Sequence, residues 1–262
     1  MIYVVPSLKA NAGLITEAAQ WAGSIGAVFA ARQGRSEIRL AKDYGSCFLV
    51  YTSRGPQIVR DEGTHFFSLN MAELRIQHIR QGKPDHLLEA LGAAGPVRLL
   101  DCTCGFGADS IVASFGLPQG SVVHAMEVSP LLAAVTSWGF SDFVHAHHDV
   151  TAALRRIQLR TGDYMAYLRN ETAPVYDVLY FDPMFDHPVA SSCQFQPVRA
   201  IMDHHALTLK TIEYAMKKTR RRVVIKGRSF RELVQAFPEA KLYGGRYSRI
   251  GYAVLECEST NG

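Results

Sequence analysis

The sequence contains no stretch that could cross a membrane and no cysteine arrangement typical of a metal site. Nowhere do 18 apolar residues run together, and the first residues carry no basic segment followed by an apolar one. The five cysteines include no CxxC pair and no Cys/His spacing that suits tetrahedral zinc. These absences indicate a cytoplasmic protein with reduced thiols and no contact with a membrane.

The chain also lacks internal repeats and low-complexity tracts. Its 262 residues are 48% hydrophobic and 20% charged, a balance typical of globular proteins, and the length allows one or two domains. Twenty-eight Lys and Arg residues against 24 Asp and Glu residues leave a net charge of +4. This composition excludes a disordered or fibrous chain, while the bulk charge alone identifies no partner.

Three regions can be distinguished along the chain. Residues 1–69 mix short apolar runs with helical spacing and include a hairpin pattern around Ser53–Pro56, which predicts a small α/β N-terminal region. Residues 70–94 form a predicted helical connector, interrupted near Gly82. In residues 95–262 strand and helix patterns alternate, which predicts a mostly parallel sheet covered by helices on both faces.

The strands of this sheet follow from short apolar runs. They are predicted at Val97–Cys102, Val122–Glu127, Ile157–Thr161, Val175–Phe181 and Arg222–Lys226. Two more short strands, Lys241–Tyr243 and Tyr252–Glu256, are joined by a loop with no room for a helix. The sequence therefore predicts an antiparallel C-terminal hairpin at one edge of the parallel sheet.

A loop with two glycines follows the first of these strands. Gly105 and Gly107 lie before the next helix, where the absence of side chains lets a ligand approach the backbone. Glu127 closes the following strand, 18 residues after Asp109, and a carboxylate there can accept both hydroxyls of a ribose. The pattern predicts a nucleoside cofactor, with a tight turn of purely structural origin as the alternative.

The charge of the loop separates two classes of cofactor. Ser110 stands in place of the third glycine of a dinucleotide-binding fingerprint. Asp101 precedes the loop, and a carboxylate there repels a pyrophosphate but attracts the cationic amino-acid end of S-adenosylmethionine. We therefore favour the sulfonium cofactor over NAD(P). Cys102 and Cys104 are interpreted as small residues that pack the turn, and without an HExxH pattern we expect no metal.

A third carboxylate follows the strand that ends at Thr161. Gly162 and Asp163 come directly after that strand, where the carboxylate of Asp163 can receive the amino group of an adenine. The alternative is that Asp163 caps a helix that begins at Tyr164. The sequence leaves both roles open.

The motif Asp-Pro-Met-Phe follows the strand Val175–Phe181, at the end where open α/β sheets bind ligands. An exocyclic base amine is a poor nucleophile and needs hydrogen-bond acceptors that orient it and stabilise the charge that develops on nitrogen. The carboxylate of Asp182 and the carbonyl of Pro183 can accept those bonds, and Phe185 can stack on an extruded base. The alternative is a simple Asp-Pro turn.

Three segments together resemble the class I S-adenosylmethionine-dependent methyltransferases, and more narrowly the RsmJ-like family of bacterial 16S ribosomal RNA guanine-N2 methyltransferases. They are Leu100–Asp109, Met126–Pro130 and Tyr180–His187, of which the last is the most specific. The resemblance continues through Val223–Lys226, covers about residues 70 to 256, and implies a Rossmann-like sheet.

The family's cofactor contacts would fall on seven positions. They are Ala108, Asp109, Glu127, Val128, Gly162, Asp163 and Asp182. To these the analysis of the loop adds Asp101, Thr103, Gly105 and Gly107. Ala108 and Val128 stand where the rRNA enzymes tend to carry Arg, so their contacts would be made by backbone. The segment Asn70–Ile76 and the region before it resemble Gram-positive relatives more than the rRNA enzymes.

A run of basic residues lies near the end of the chain. Between residues 217 and 231 there are eight cations and no carboxylate, namely Lys217, Lys218, Arg220, Arg221, Arg222, Lys226, Arg228 and Arg231. This run is interpreted either as a solvated helix end or as a footprint for RNA phosphates near the carboxyl edge of the sheet. Arg246, Tyr247 and Arg249 place an aromatic ring between further cations.

The sequence thus predicts a methyltransferase that acts on an exocyclic amine of a nucleic-acid base, with guanine N2 of small-subunit rRNA as the preferred target. Its partner would be rRNA or the small ribosomal subunit. Methylation of adenine N6 or another base amine is one alternative. A catalytically silent assembly factor that binds the cofactor or RNA is the other. The oligomeric state is left open.

Overall fold

The computed structural model describes residues 1–170, 175–183, 207–244 and 250–257. Contacts divide the described residues into two units. The smaller unit comprises Met1–Ser68 and Ser129–Phe143, and the larger unit comprises the rest. Each unit is built around its own sheet.

The helices and strands alternate through most of the chain. The helices are α1 (Ala12–Ser24), α2 (Glu37–Tyr44), α3 (Asn70–Arg80), α4 (His86–Leu91), α5 (Ala108–Gly116), α6 (Pro130–Ser141), α7 (His148–Arg155), α8 (Tyr164–Arg169), α9 (Leu209–Lys217) and α10 (Arg231–Ala236). The strands are β1 (Tyr3–Pro6), β2 (Val28–Phe29), β3 (Cys47–Thr52), β4 (Gly55–Arg60), β5 (Gly63–Phe66), β6 (Arg98–Asp101), β7 (Val122–Glu127), β8 (Ile157–Thr161), β9 (Tyr176–Phe181), β10 (Thr219–Gly227), β11 (Lys241–Gly244) and β12 (Gly251–Glu256).

The sheet of the larger unit has seven strands in the order β11-β12-β10-β9-β6-β7-β8. Strands β6 to β10 are parallel, and β12 pairs antiparallel with both β10 and β11. The predicted α/β fold with an antiparallel C-terminal hairpin is therefore confirmed. Within this hairpin, β12 pairs with β10 and lies inside the sheet, and β11 is an edge strand of the sheet.

The strands of this sheet are apolar on both faces. Val178, Leu179, Tyr180 and Phe181 are consecutive in β9 and all buried, as expected for a strand in a parallel sheet with both faces covered. Strands β7 and β8 have the predicted bounds. Strand β10 begins three residues earlier than predicted, because its pairing with β9 continues through an irregularity beyond the apolar run.

Two helices differ from the sequence-based assignment. Helix α7 was not predicted, since it is only eight residues long and only Val150, Ala153 and Leu154 in it are buried. The helix predicted through Ile201–Met216 is observed as α9, and residues 201–206 lie outside the described residues. Within the described ranges, no helix is both long enough and apolar enough to cross a membrane.

The sheet of the smaller unit has the order β2-β1-β3-β4-β5. Strands β1, β2 and β3 are parallel to one another, and β4 pairs antiparallel with both β3 and β5. The predicted hairpin is formed by β3 and β4, and Gly55 stands at its turn with a φ of 99°. A Cβ atom added to Gly55 would lie 2.4 Å from the ring of Trp138 in α6. The turn therefore needs glycine for both its backbone conformation and its contact with α6.

We expect Gly55→Ala to lower the free energy of unfolding by about 1–3 kcal/mol more than Gly45→Ala does. Gly45 has a similar φ of 93° but no atom within 4 Å of an added Cβ, so it controls for backbone strain alone. Urea denaturation of both variants measures the difference. Equal losses would contradict the role assigned to the Trp138 contact.

Candidate cofactor and substrate site

Three acidic residues stand where three neighbouring strands end. Asp101 is the last residue of β6, Glu127 is the last residue of β7, and Asp182 directly follows β9. Strand β6 lies between the other two and is parallel to both, so their carboxyl ends meet at one edge of the sheet. This is the edge at which open α/β sheets bind ligands.

The glycine loop is tied to the end of β7 by hydrogen bonds. The backbone N–H of Gly105 donates to Oε2 of Glu127 at 2.9 Å, and Cys104 N donates to the carbonyl of Met126 at 2.8 Å. Gly105 and Gly107 have φ values of 54° and 79°. Among the described residues, the atom nearest to a Cβ added to Gly105 would be the carbonyl oxygen of Thr103 at 4.0 Å, so no described side chain packs against this part of the loop.

Asp101 organises the loop from within. One carboxylate oxygen accepts the backbone N–H of Thr103 at 3.0 Å, and the other accepts the hydroxyl of Ser110 at 2.6 Å. Burial raises the pKa of Asp101 to about 7, although both hydrogen bonds oppose the shift. A direct contact between Asp101 and the cofactor stays a prediction. Cys102 and Cys104 are buried with free thiols, in agreement with a packing role.

Asp109, in the first turn of α5, is surrounded by partners. Its Oδ1 accepts from Nη1 of Arg75 at 2.5 Å, and its Oδ2 accepts from Nζ of Lys226 at 2.8 Å and from the hydroxyl of Tyr180 at 2.7 Å. Burial alone would raise the pKa of Asp109, but Lys226 and Arg75 lower it well below its ordinary value. Asp109 is therefore ionised and fixed in place.

Lys226 joins Asp109 to Asp182. Its ammonium also contacts Oδ2 of Asp182 at 2.7 Å, and the backbone N–H of Asp182 donates to Oγ1 of Thr103 at 2.6 Å. Burial would lower the pKa of Lys226, but the two carboxylates raise it, so the ammonium keeps its charge. Burial raises the pKa of Asp182 above its ordinary value, although Lys226 opposes this shift. Of the two carboxyl groups that contact Lys226, that of Asp182 is thus a weaker acid than that of Asp109.

Arg75 connects α3 to the same cluster. Its Nε and Nη2 each lie 2.8 Å from an oxygen of Asp85, which caps α4 by accepting from the N–H groups of Leu87 and Leu88. The sequence analysis gave no functional role to Arg75, or to Lys226 beyond the basic run. A usable signal was present for Arg75, because it lies between the buried Ala72 and Ile76 of α3, where an apolar residue would be expected.

The remaining predicted positions are placed as follows. Gly162 has a φ of 148°, and its N–H donates to the carbonyl of Glu127 at 2.9 Å. Asp163 is exposed and caps α8 by accepting from Ala166 N at 2.6 Å, so the capping alternative is confirmed and the adenine contact stays a prediction. Ala108 begins α5 and Val128 follows β7. Pro183 is partly buried, and Phe185 lies outside the described residues.

Comparison with known proteins identifies the family. The family described as "Putative SAM-dependent methyltransferase" matches residues 58–249, which is most of the chain. The chain belongs to this family. Its members depend on S-adenosylmethionine, so the predicted cofactor is confirmed at the level of the family.

Two relatives and one solved structure extend the comparison. YpiP, an uncharacterized protein of Bacillus subtilis, is 31% identical over 68% of this chain and 67% of its own. Ribosomal RNA small subunit methyltransferase J of Bdellovibrio bacteriovorus is 27% identical over 64% of this chain and 66% of its own, slightly less than two thirds of its length. The SAM-dependent methyltransferase NGO1261 of Neisseria gonorrhoeae has a TM-score of 0.63 over 99% of this chain and 97% of its own. At 16% identity, this last likeness establishes the fold alone.

The basic run does not form one patch on this methyltransferase. Strand β10 is parallel to β9, so Arg220, Arg221 and Arg222 lie at its amino end while Lys226 lies near its carboxyl end. Arg222 is paired with Glu256 at 3.1 Å and donates to a backbone carbonyl. The predicted footprint near the carboxyl edge is therefore wrong for these three arginines. Arg246, Tyr247 and Arg249 lie outside the described residues.

The pKa of Asp101 gives a test of its burial. Because the pKa of Asp101 is raised in the folded protein, its protonated carboxyl group contributes to the free energy of unfolding below about pH 4. This contribution is lost as the pH rises to about 7. Asp101→Asn keeps the shape of the side chain and removes the titration. We expect the stability of the variant, relative to wild type, to increase between pH 4 and pH 7 in denaturant titrations. The exposed Asp61→Asn controls for the loss of a charge, and a constant difference across this range would contradict the assignment.

Proposed function

We propose that this methyltransferase transfers a methyl group from S-adenosylmethionine to an exocyclic amine of a base in ribosomal RNA, namely N2 of a guanine in the small subunit. The name of the Bdellovibrio relative supports small-subunit rRNA as the substrate. The motif that contains Asp182 supports an amine as the acceptor, because it places hydrogen-bond acceptors at the carboxyl edge of the sheet.

The geometry of Asp182 carries the proposal. Its backbone is held by Thr103, its Oδ2 is held by Lys226, and its side chain is still 29% exposed. Among the described residues, Oδ1 has no hydrogen-bond partner, so it is available to accept an N–H from the base. A carboxylate that is fixed and partly open can orient an amine without first having to be ordered.

Each predicted residue has a role in this proposal. S-adenosylmethionine supplies an activated methyl group on its sulfonium. Asp182 and the carbonyl of Pro183 hold the amine and offset the positive charge that develops on nitrogen, and Phe185 stacks on the base. Glu127 holds the ribose and Asp163 the adenine amino group. The backbone around the glycine loop and the strand ends completes the cofactor site, through Asp101, Thr103, Gly105, Gly107, Ala108, Asp109, Val128 and Gly162.

The direct experiment is methyl transfer to small-subunit rRNA taken from cells that lack the gene. The wild-type protein should add one labelled methyl group, and nuclease digestion with mass analysis should identify it as N2-methylguanosine. Asp182→Ala should lower the rate at saturating cofactor by at least about 100-fold while thermal stability stays close to wild type. Asp177→Ala is the matched control, since Asp177 lies at the opposite end of the same strand.

The outcomes separate the alternatives. Detection of N6-methyladenosine in the digest would show that the enzyme methylates N6 of adenine and not N2 of guanine. Full activity in Asp182→Ala would reject the role of Asp182. No change in rRNA modification between cells with and without the gene, together with no transfer by the purified protein, would overturn the proposed function.

The ion pair with Lys226 predicts a shift in the pH profile. The rate should fall as the pH drops through the pKa of Asp182, because the protonated side chain is a poorer acceptor. Lys226→Met removes the positive charge that lowers this pKa, so the acidic limb of the profile should move to higher pH by about one unit or more. Lys241→Met, at the exposed edge strand β11, is the control. An unchanged acidic limb in Lys226→Met would contradict this role.

A further inference from the structure

The smaller unit contains a cleft of about 240 Å³ at the carboxyl ends of the parallel strands β1 and β2. Leu8, Ile15 and Phe29 give it apolar walls, and Arg32 is the cationic residue among those that line it. Sites in open α/β sheets lie at this end of the strands. The cleft lies wholly within the smaller unit and shares no residue with the methyl-transfer site of the larger unit.

Arg32 is a buried charge that is poorly neutralised. It is only 8% exposed, and its Nε and Nη1 donate to the uncharged backbone carbonyls of Arg35 and Pro6. In the part of the chain that the structure describes, the one carboxylate within 4 Å is Glu37, at 3.9 Å, and its side chain is 54% exposed. A buried guanidinium normally needs a close counter-charge, because removing it from water is costly.

The neighbouring Arg35 is an arginine of the same loop that has a close carboxylate partner, and it can be compared with Arg32. Its Nη1 lies 2.8 Å from Asp43, and its Nη2 donates to the hydroxyl of Tyr44 at 2.9 Å. Arg35 therefore has a close counter-charge within the protein, whereas the carboxylate beside Arg32, that of Glu37, is 3.9 Å away and more than half exposed. The difference indicates that the charge of Arg32 is directed to a ligand that the cleft receives.

We propose that this cleft binds the phosphate of one nucleotide unit of the RNA substrate. A guanidinium pairs with phosphate oxygens in a bidentate way, and the apolar walls can contact the attached sugar or base. The volume is below the range of about 300–1,000 Å³ that complete small ligands occupy, so one unit of a longer chain fits better than a free cofactor. The assignment to RNA rests on the proposed function, whereas the assignment to phosphate rests on Arg32.

The first test adds a negative charge at the mouth of the cleft. Leu8→Glu and Ile38→Glu both replace an exposed apolar side chain, at 60% and 76% exposure, but Leu8 lines the cleft and Ile38 does not. We expect Leu8→Glu to weaken binding of a single-stranded fragment of small-subunit rRNA about tenfold in fluorescence anisotropy, and Ile38→Glu to leave it unchanged. Affinity for S-adenosylmethionine should be unchanged in both. Equal RNA affinity of the two variants would overturn the proposal.

A second pair of variants tests the guanidinium itself. Arg32→Ala should reduce the slope of log Kd against log salt concentration by about 0.7, the value for one phosphate contact on single-stranded nucleic acid. Lys42→Ala removes an equal charge from the exposed last turn of α2 and should leave the slope unchanged. Because Arg32 is buried and its loss can unfold the unit, Leu8→Glu decides the question if Arg32→Ala does not fold.

A third measurement separates this inference from the proposed function. The phosphorus resonance of uridine 5′-monophosphate should broaden with wild type and with Ile38→Glu but not with Leu8→Glu. If wild type binds no RNA but gives this pattern, the action on RNA is overturned and the cleft is supported as a site for a free nucleotide. If the broadening is equal in all three proteins or absent from all three, the phosphate site is overturned, even where transfer to rRNA succeeds.

Discussion

The ammonium of Lys226 is the charge on which the site of the larger unit depends. It lies within hydrogen-bond distance of both Asp109 and Asp182. Without it, Asp109 would keep only Arg75 as a counter-charge, and Asp182 would have no cation in contact among the described residues. The contact also fixes the geometry, because Asp109 lies in the first turn of α5, Asp182 follows β9 and Lys226 belongs to β10. Arg75 adds the connector helix α3 to the same cluster through Asp109. One buried charge thus joins the start of α5 to the residue that follows β9.

This cluster gives the site a negative balance. Asp85, Asp109 and Asp182 are three carboxylates, and Arg75 and Lys226 are two cations, so one negative charge is left over. A negative balance suits a cofactor whose sulfonium and amino groups are both positive. From the sequence, Asp101 alone was expected to attract the cofactor. The raised pKa of Asp101 and its two internal hydrogen bonds make the whole cluster the better source of the field.

Local features were predictable, and contacts between distant residues were not. The bounds of β7 and β8 follow from apolar runs bordered by polar residues. The places of Glu127 and Asp182 follow from where β7 and β9 end. Arg75 and Lys226, the two cations that contact Asp109, lie 34 and 117 residues from it in the sequence. At such separations neither periodicity nor spacing predicts a contact. The basic run is a second example of contacts that the sequence does not predict. Its residues are close in sequence, but Arg220, Arg221 and Arg222 lie at one end of the nine-residue strand β10 and Lys226 lies near the other.

The two units place opposite charges at equivalent positions. In each, parallel strands end at an edge that carries ionisable side chains, and the larger unit has excess carboxylate there while the smaller unit has the underneutralised Arg32. A cationic cofactor and an anionic strand of RNA cannot both be attracted by one field, because a potential that concentrates the first repels the second. Separate sites on separate sheets remove that conflict. The net charge of +4 sums all charged residues of the chain and therefore describes neither of these local charges.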